Sequence, residues 1–230
     1  MKKIWLYLGI GVVVLLLVLV SAGYFLVIKP KDLGVRYTQE DVNSVNKKLG
    51  IEYNTIEAYK TPSESIKISG TKNVSTKINQ REITALLAEH SKNWEYSPLA
   101  NTQVRINSDN TIEVSGKLNS GKLKGYAEAT DLPEQYKKAI EENADKLPVS
   151  PSIYIKTELS VKDGKVSEDV KEVKIGPVSL DAQWFDDNQG FVSELLEDRM
   201  KQAGINADSL SFENGEMELD GTIPESISFG

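Results

Sequence analysis

The chain opens on an uninterrupted apolar run. Ile4 to Ile28 holds 25 residues without a charge, after which hydrophobic and polar positions begin to alternate. At about 1.5 Å of rise per residue the run makes a helix of roughly 37 Å, enough to cross a hydrocarbon core of about 30 Å with some tilt. Lys2 and Lys3 precede it, Trp5 and Tyr7 fall near one end and Tyr24 near the other. Charge asymmetry and the aromatic belt then put residues 1–3 in the cytoplasm and everything beyond Lys29 outside. The competing reading is a secreted chain, its signal peptide cut near Ala22, where Val20-Ser21-Ala22 suits cleavage. Because the run continues to Ile28 and exceeds a signal core of about 7–15 residues, the pattern favours a single-pass transmembrane helix over residues 4–28.

Residues 29–37 read as a tether, and residues 38–230 as one extracytoplasmic domain. Thr38 caps a short helix with Glu40 and Asp41 in its first turn, Val42, Val45 and Leu49 on one face and Gly50 as its stop. Its polar face is not rich in Lys or Arg, which predicts docking on the domain rather than on a bilayer. Alternation over 51–60 and 65–78 predicts strands broken at Thr61-Pro62-Ser63. Asn79 and Glu82 have capping-box spacing, and a helix follows over 80–92 with a stripe of Ile83, Leu86 and Leu87 continued at Trp94. Residues 103–118 form a hairpin around Ser108-Asp109-Asn110, and 123–130 a further strand. Pro133 opens a helix to about Leu147. Strands over 152–180 turn at Asp163-Gly164, a helix runs from Asp187-Asn188 to Gly204, and a hairpin over 209–224 turns at Asn214-Gly215. The order helix, linker, hairpin occurs at 79–118 and again at 187–223, with Gly116 and Gly221 in the same place of IEVSGKL and MELDGTI, a two-fold echo.

These elements predict an α+β fold: a curved, mostly antiparallel sheet of hairpins with three or four amphipathic helices packed on its concave side, preceded by one transmembrane helix. Composition narrows the function. There is no Cys, which removes disulfides, zinc ribbons, thiol catalysis and a lipoprotein anchor, and one His, which leaves multi-His metal sites and His triads nothing to work with. Without Lys2, Lys3 and Lys29 the exported part carries 24 basic residues against 34 acidic ones. That balance argues against nucleic acid and against charge-driven adhesion to anionic headgroups.

No GxSxG elbow, calcium loop or phosphate loop is present. His90, in the last turn of its helix, reads as an imidazolium facing the helix dipole. Acid pairs at Glu40-Asp41, Glu141-Glu142, Asp186-Asp187 and Glu197-Asp198 read as helix starts and solvated faces. A carboxylate-based cell-wall hydrolase needs only two acids close in space, and nothing in the chain singles out a pair. The large aromatics Trp94, Trp184, Phe185 and Phe191 each read as core or as groove lining; with Leu195, Leu196 and Met200 they mark the best candidate for an apolar ligand groove, because the last helix is too hydrophobic for full exposure. The groove residues expected to touch ligand are Trp94, Trp184, Phe191, Leu195 and Met200; no metal or cofactor is expected.

The N-terminal anchor, the capped helices TQEDV and NQREI and the hairpins of pattern v-x-l-x-x-g-x-i-x-v-x-G resemble small bacterial envelope proteins. Among these are the YpmS-like membrane proteins and the tubular, BPI-like lipid-binding domains. The likeness spans roughly residues 35–225 and touches individual positions only at Asn79-Glu82, Gly116 and Gly221. It implies a strongly curved sheet wrapping a helix around an apolar groove, and a non-enzymatic module that binds a lipid or amphiphile or acts as an envelope scaffold. The rival function is a sensor that recruits an envelope protein partner, with edge strands such as 152–161 as docking sites.

Overall fold

A computed structural model describes residues 29–146, 150–180 and 189–230. Residues 4–28, read as the membrane span, lie outside the described part; among the described residues no helix is long and apolar enough to cross a membrane. The domain is α+β, with mostly antiparallel sheets and five α-helices among the described residues.

The first helix, α1 (Gln39–Leu49), begins and ends where its caps require. Thr38 and Asp41 form a capping box, and Gly50 takes the left-handed conformation, donating its N–H to Asn46 O at 2.7 Å. Its face of Val42, Val45 and Leu49 is buried against the domain. The next strands separate into two sheets. β1 (Glu52–Thr55) and β2 (Ile66–Ser69) flank β11 (Ser226–Phe229) in a small sheet whose β1–β11 pair is parallel. The alternating stretch 65–78 is therefore two strands. Gly70, at φ +70° and against Glu225 with no room for a Cβ, turns the chain from β2 into β3 (Lys72–Asn79) of the large sheet.

The large sheet is organised around β6 (Ser152–Lys162). One edge of β6 pairs with β7 (Lys165–Ile175), which in turn pairs with β8 (Val178–Leu180). The other edge is shared. Residues 152–157 pair with β5 (Ile112–Leu118), partner of β4 (Leu99–Ile106), and Val161-Lys162 with β9 (Asn206–Glu213), which continues into β10 (Glu216–Ile223) and β3. Only 158–160 lack a strand partner on that side, so β6 is a central strand and not the open docking edge that its alternation suggested. The turns Asp163-Gly164 and Asn214-Gly215 have positive φ at both residues, as tight two-residue hairpins need.

Helix α2 (Gln80–Asn93) runs along the outer edge of β4 and takes the place of a neighbouring strand. Gln80 Oε1 accepts from Ile106 N and Thr84 Oγ1 from Val104 N, both at 3.0 Å, which satisfies edge donors that would otherwise be open. The starts of α1 and α2 brace each other through their capping carboxylates. Asp41 of α1 accepts from Arg81 of α2 at 2.8 Å, and Glu82 of α2 accepts from Ser44 (2.5 Å) and Lys48 (2.7 Å) of α1. Glu82 is 2% exposed. Burial disfavours its charge, yet hydrogen bonds from Lys48, Ser44 and the Asn79 N–H hold its carboxyl below the usual value.

Two expectations are corrected. Residues 123–130 form α3 (Leu123–Ala129), not a strand. Leu, Lys, Ala and Glu favour helix there, and the period-2 spacing of Leu123, Gly125 and Ala127 coincides with helix packing: Gly125 sits directly against the Tyr96 ring, and Tyr126 meets Trp94 at 5.7 Å. The segment read as a tether is also packed. Leu33 and Val35 are buried beside Tyr154, both their N–H groups bond Gln103 Oε1, and Lys31 pairs with Glu113 at 3.1 Å and lies over the Tyr154 ring. Helix α4 (Glu134–Asn143) is followed by a short 3-10 turn at Ala144–Lys146, and the last helix, α5 (Gln189–Gln202), packs on β7. The two helix-hairpin units meet on the same edge of β6. Gly221 adjoins the register shift at Asp220/Gly221, and Gly116 faces the irregular stretch of β4 between Ala100 and Gln103.

Candidate ligand cavity

A cavity of about 440 Å³ lies between the small sheet, helices α2 and α5, and the inner face of the large sheet. Each wall contributes through its own periodicity: Ile66 and Ile68 from β2, Leu86 and Trp94 from α2, Leu196 and Met200 from α5, Leu219 and Ile223 from β10. Apart from Tyr53, His90 and Trp94, every lining side chain is aliphatic, methionine, proline or phenylalanine. The size falls within the range of about 300–1,000 Å³ of small-molecule sites, and the lining is more apolar than most.

Trp94 is 7% exposed and fixed by its indole N–H, which donates to Ser65 Oγ at 3.0 Å. Two polar groups in the wall have no such partner. Tyr53 Oη and His90 Nε2 are shielded from solvent and make no hydrogen bond among the described residues. Their rings meet edge-on at 5.7 Å, and both pack on Phe229. Burial pushes the Tyr53 hydroxyl up to about 12 and pushes His90 below its ordinary value. Both groups are therefore neutral near pH 7. The expectation of an imidazolium serving the helix dipole is overturned, because the ring turns inward to the cavity, where a charge is disfavoured.

Four cavity residues, Ile66, Ile68, Trp94 and Ala203, also line a second pocket of about 550 Å³, completed by Tyr126, Ala129, Thr130, Asp131, Arg199 and Gln202. One side of that second pocket is apolar and the other polar. Arg199 Nη1 donates to Thr130 O, at the end of α3, at 3.0 Å. Its Nε and Nη2 are shielded and unpaired among the described residues. Asp131 is held below its usual value by the hydrogen bond from Lys137 (2.8 Å) and by that ammonium's charge, with a smaller contribution from Arg199.

Of the residues expected in the groove, Trp94 and Met200 line the cavity. Leu195 does not, although its neighbour Leu196 does. Trp184 lies outside the described residues, as do Phe185 and Asp186-Asp187. Phe191 falls within the backbone of α5, its side chain outside what is described. Sequence reasoning missed Tyr53, Arg199 and the small sheet. The missed signals lay in helical spacing: His90 falls four residues after Leu86 and four before Trp94, and Arg199 falls three after Leu196 and four before Ala203. A polar group on an apolar stripe is the informative exception.

A notch where β5 and β9 part on β6 carries Glu158, Glu168, Asp169 and Glu213. Glu168 accepts from Ser193, and Lys171 pairs with both Glu158 and Asp169. Among the described residues no group of His, Asp or Glu has the arrangement of a metal site. No protein-family profile, curated protein or solved structure matches the chain.

Proposed function

We propose that the chain is a non-enzymatic, amphiphile-binding module of a cell envelope, anchored by residues 4–28 with residues 38–230 outside the membrane and its sheet curved around the bound chain. The observation that carries this reading is the cavity of about 440 Å³ with an almost wholly apolar lining. A hydrocarbon chain that enters it gains about 0.8 kcal/mol per buried methylene. The likeness in pattern to envelope lipid-binding domains supports the same reading, as does the packed strap 31–35, which leads from residue 29 straight onto the sheet.

The test uses the full chain in phosphatidylcholine nanodiscs, with Trp5→Phe and Trp184→Phe so that Trp94 is the sole tryptophan. A monoacylglycerol brominated along its chain is expected to quench Trp94 saturably, with reversal by the unbrominated lipid. Trp94 emission unchanged at saturating probe rejects the proposal.

A further inference from the structure

Arg199 carries an unmet demand for an anion. A guanidinium holds five N–H donors, and its Nε and Nη2 edge is the fork that pairs side-on with a carboxylate or phosphate. In this domain only Nη1 is committed, to Thr130 O, while Nε and Nη2 are shielded and unpaired among the described residues. A shielded, charged group with two unpaired nitrogens is costly unless something fills them. The nearby carboxylate, Asp131, is largely exposed and bonded to Lys137. Arg199 is one of the residues lining the pocket that shares Ile66, Ile68, Trp94 and Ala203 with the apolar cavity, so a guanidinium turned toward that pocket presents its shielded edge there. The four shared residues put a hydrocarbon-lined space next to that pocket.

Building on the amphiphile-binding reading, we propose that the ligand is a single-chain anionic amphiphile, its carboxylate or phosphate on the Nε and Nη2 fork of Arg199 and its chain passing Trp94 and Ala203 into the cavity. Tyr53 and His90, neutral and unpaired in the cavity wall, add no charge that would attract the head deeper. The headgroup therefore stays at the mouth. The Arg199–Thr130 bond also ties α5 to the end of α3, so a filled fork fixes both sides of the entrance.

The experiment compares brominated probes on the same Trp94-only full chain in nanodiscs: a lysophosphatidic acid, a monoacylglycerol of identical chain, and a fatty acid. The lysophosphatidic acid is expected to bind at least tenfold more tightly than the monoacylglycerol. Arg199→Gln should remove that advantage, with urea unfolding reporting that the variant is folded; Arg199→Lys should restore part of it. The fatty acid separates the headgroups: binding like the lysophosphatidic acid assigns the fork to either anion, and binding like the monoacylglycerol assigns it to phosphate. Equal binding of charged and neutral chains, unaltered by Arg199→Gln, overturns the headgroup assignment and leaves the cavity reading standing. Quenching by neither chain overturns the cavity reading itself. Displacement by glycerol phosphate or acetate at the concentration of the lipid probe overturns the amphiphile in favour of a free anion.

Discussion

Ala203 lines both the cavity and the pocket beside Arg199, and if the ligand passes between them, replacing it with leucine should move apo stability and ligand binding in opposite directions. It follows α5, donates its N–H to Arg199 O at 3.0 Å and lines both pockets. Leucine adds three carbons beside a cavity of about 440 Å³. At about 0.8 kcal/mol per buried methylene the gain is up to about 2.4 kcal/mol. Fixing the side chain returns about 0.5–1 kcal/mol. The net, about 1.5 kcal/mol, corresponds to roughly 3–6 °C in Tm for a domain of this size. The same side chain obstructs the passage from Arg199 to the cavity. Wild type should gain about 2.7 kcal/mol at a ligand concentration a hundred times Kd, whereas Ala203→Leu should gain almost nothing. The assay is thermal unfolding of the full chain in nanodiscs with and without lysophosphatidic acid, beside Trp94 quenching. General damage lowers both numbers, so it cannot mimic the expected pattern. A variant that is less stable without ligand and still stabilised by it refutes the reasoning, because the two pockets would not then communicate through this position.

Three further outcomes rest on other parts of the structure. Tyr53→Phe removes a shielded hydroxyl that has no partner and should leave apo stability equal or raise it by about 1 kcal/mol in urea unfolding; a loss above about 1 kcal/mol would mean the hydroxyl has a partner. His90 is the only histidine, and burial lowers its folded pKa beneath the ordinary 6.5. Below about pH 6.5 the unfolded chain therefore binds the extra proton, and stability is lost as pH falls, by at most about 1.4 kcal/mol per pH unit. The shifted carboxylates Asp41, Glu82 and Glu113 act in the same direction but only near and below their ordinary values of 3.8 to 4.5. Urea unfolding at pH 7 and 5.5 should show the loss in wild type and not in His90→Phe; identical slopes would show that His90 charges in the folded state. Finally, Glu82→Ala leaves Lys48, Ser44 and the Asn79 N–H without their acceptor and should cost about 3–5 kcal/mol, with Glu82→Gln costing about 1.5–3 kcal/mol. A loss under about 1 kcal/mol for Glu82→Ala would remove the cross-brace from the account of how α1 and α2 are held.

Features governed by a few adjacent residues were legible in the chain. The cap at Thr38, the capping box at Asn79-Glu82, the stop at Gly50 and the turns at Asp163-Gly164 and Asn214-Gly215 each depend on neighbours within three or four positions. Their hydrogen bonds and φ preferences are local physics. The α+β class followed from those elements. Where a short segment satisfied both periods, as in 123–130, the sequence had no means of choosing; contact with Tyr96 and Trp94, some thirty residues earlier, decided for helix.

Trp94 and Met200 apart, the cavity belongs to the tertiary level. Tyr53, His90 and Arg199 come from β1, α2 and α5, and what singles them out is a missing partner, a property no window of sequence contains. The same holds for the paired capping carboxylates, which the chain presents as two separate caps and the fold turns into a reciprocal brace between helices. Local rules specify which groups a segment must satisfy. Whether a distant segment arrives to satisfy them is settled only when the sheets close, and the groups left wanting are where this domain has room for something other than itself.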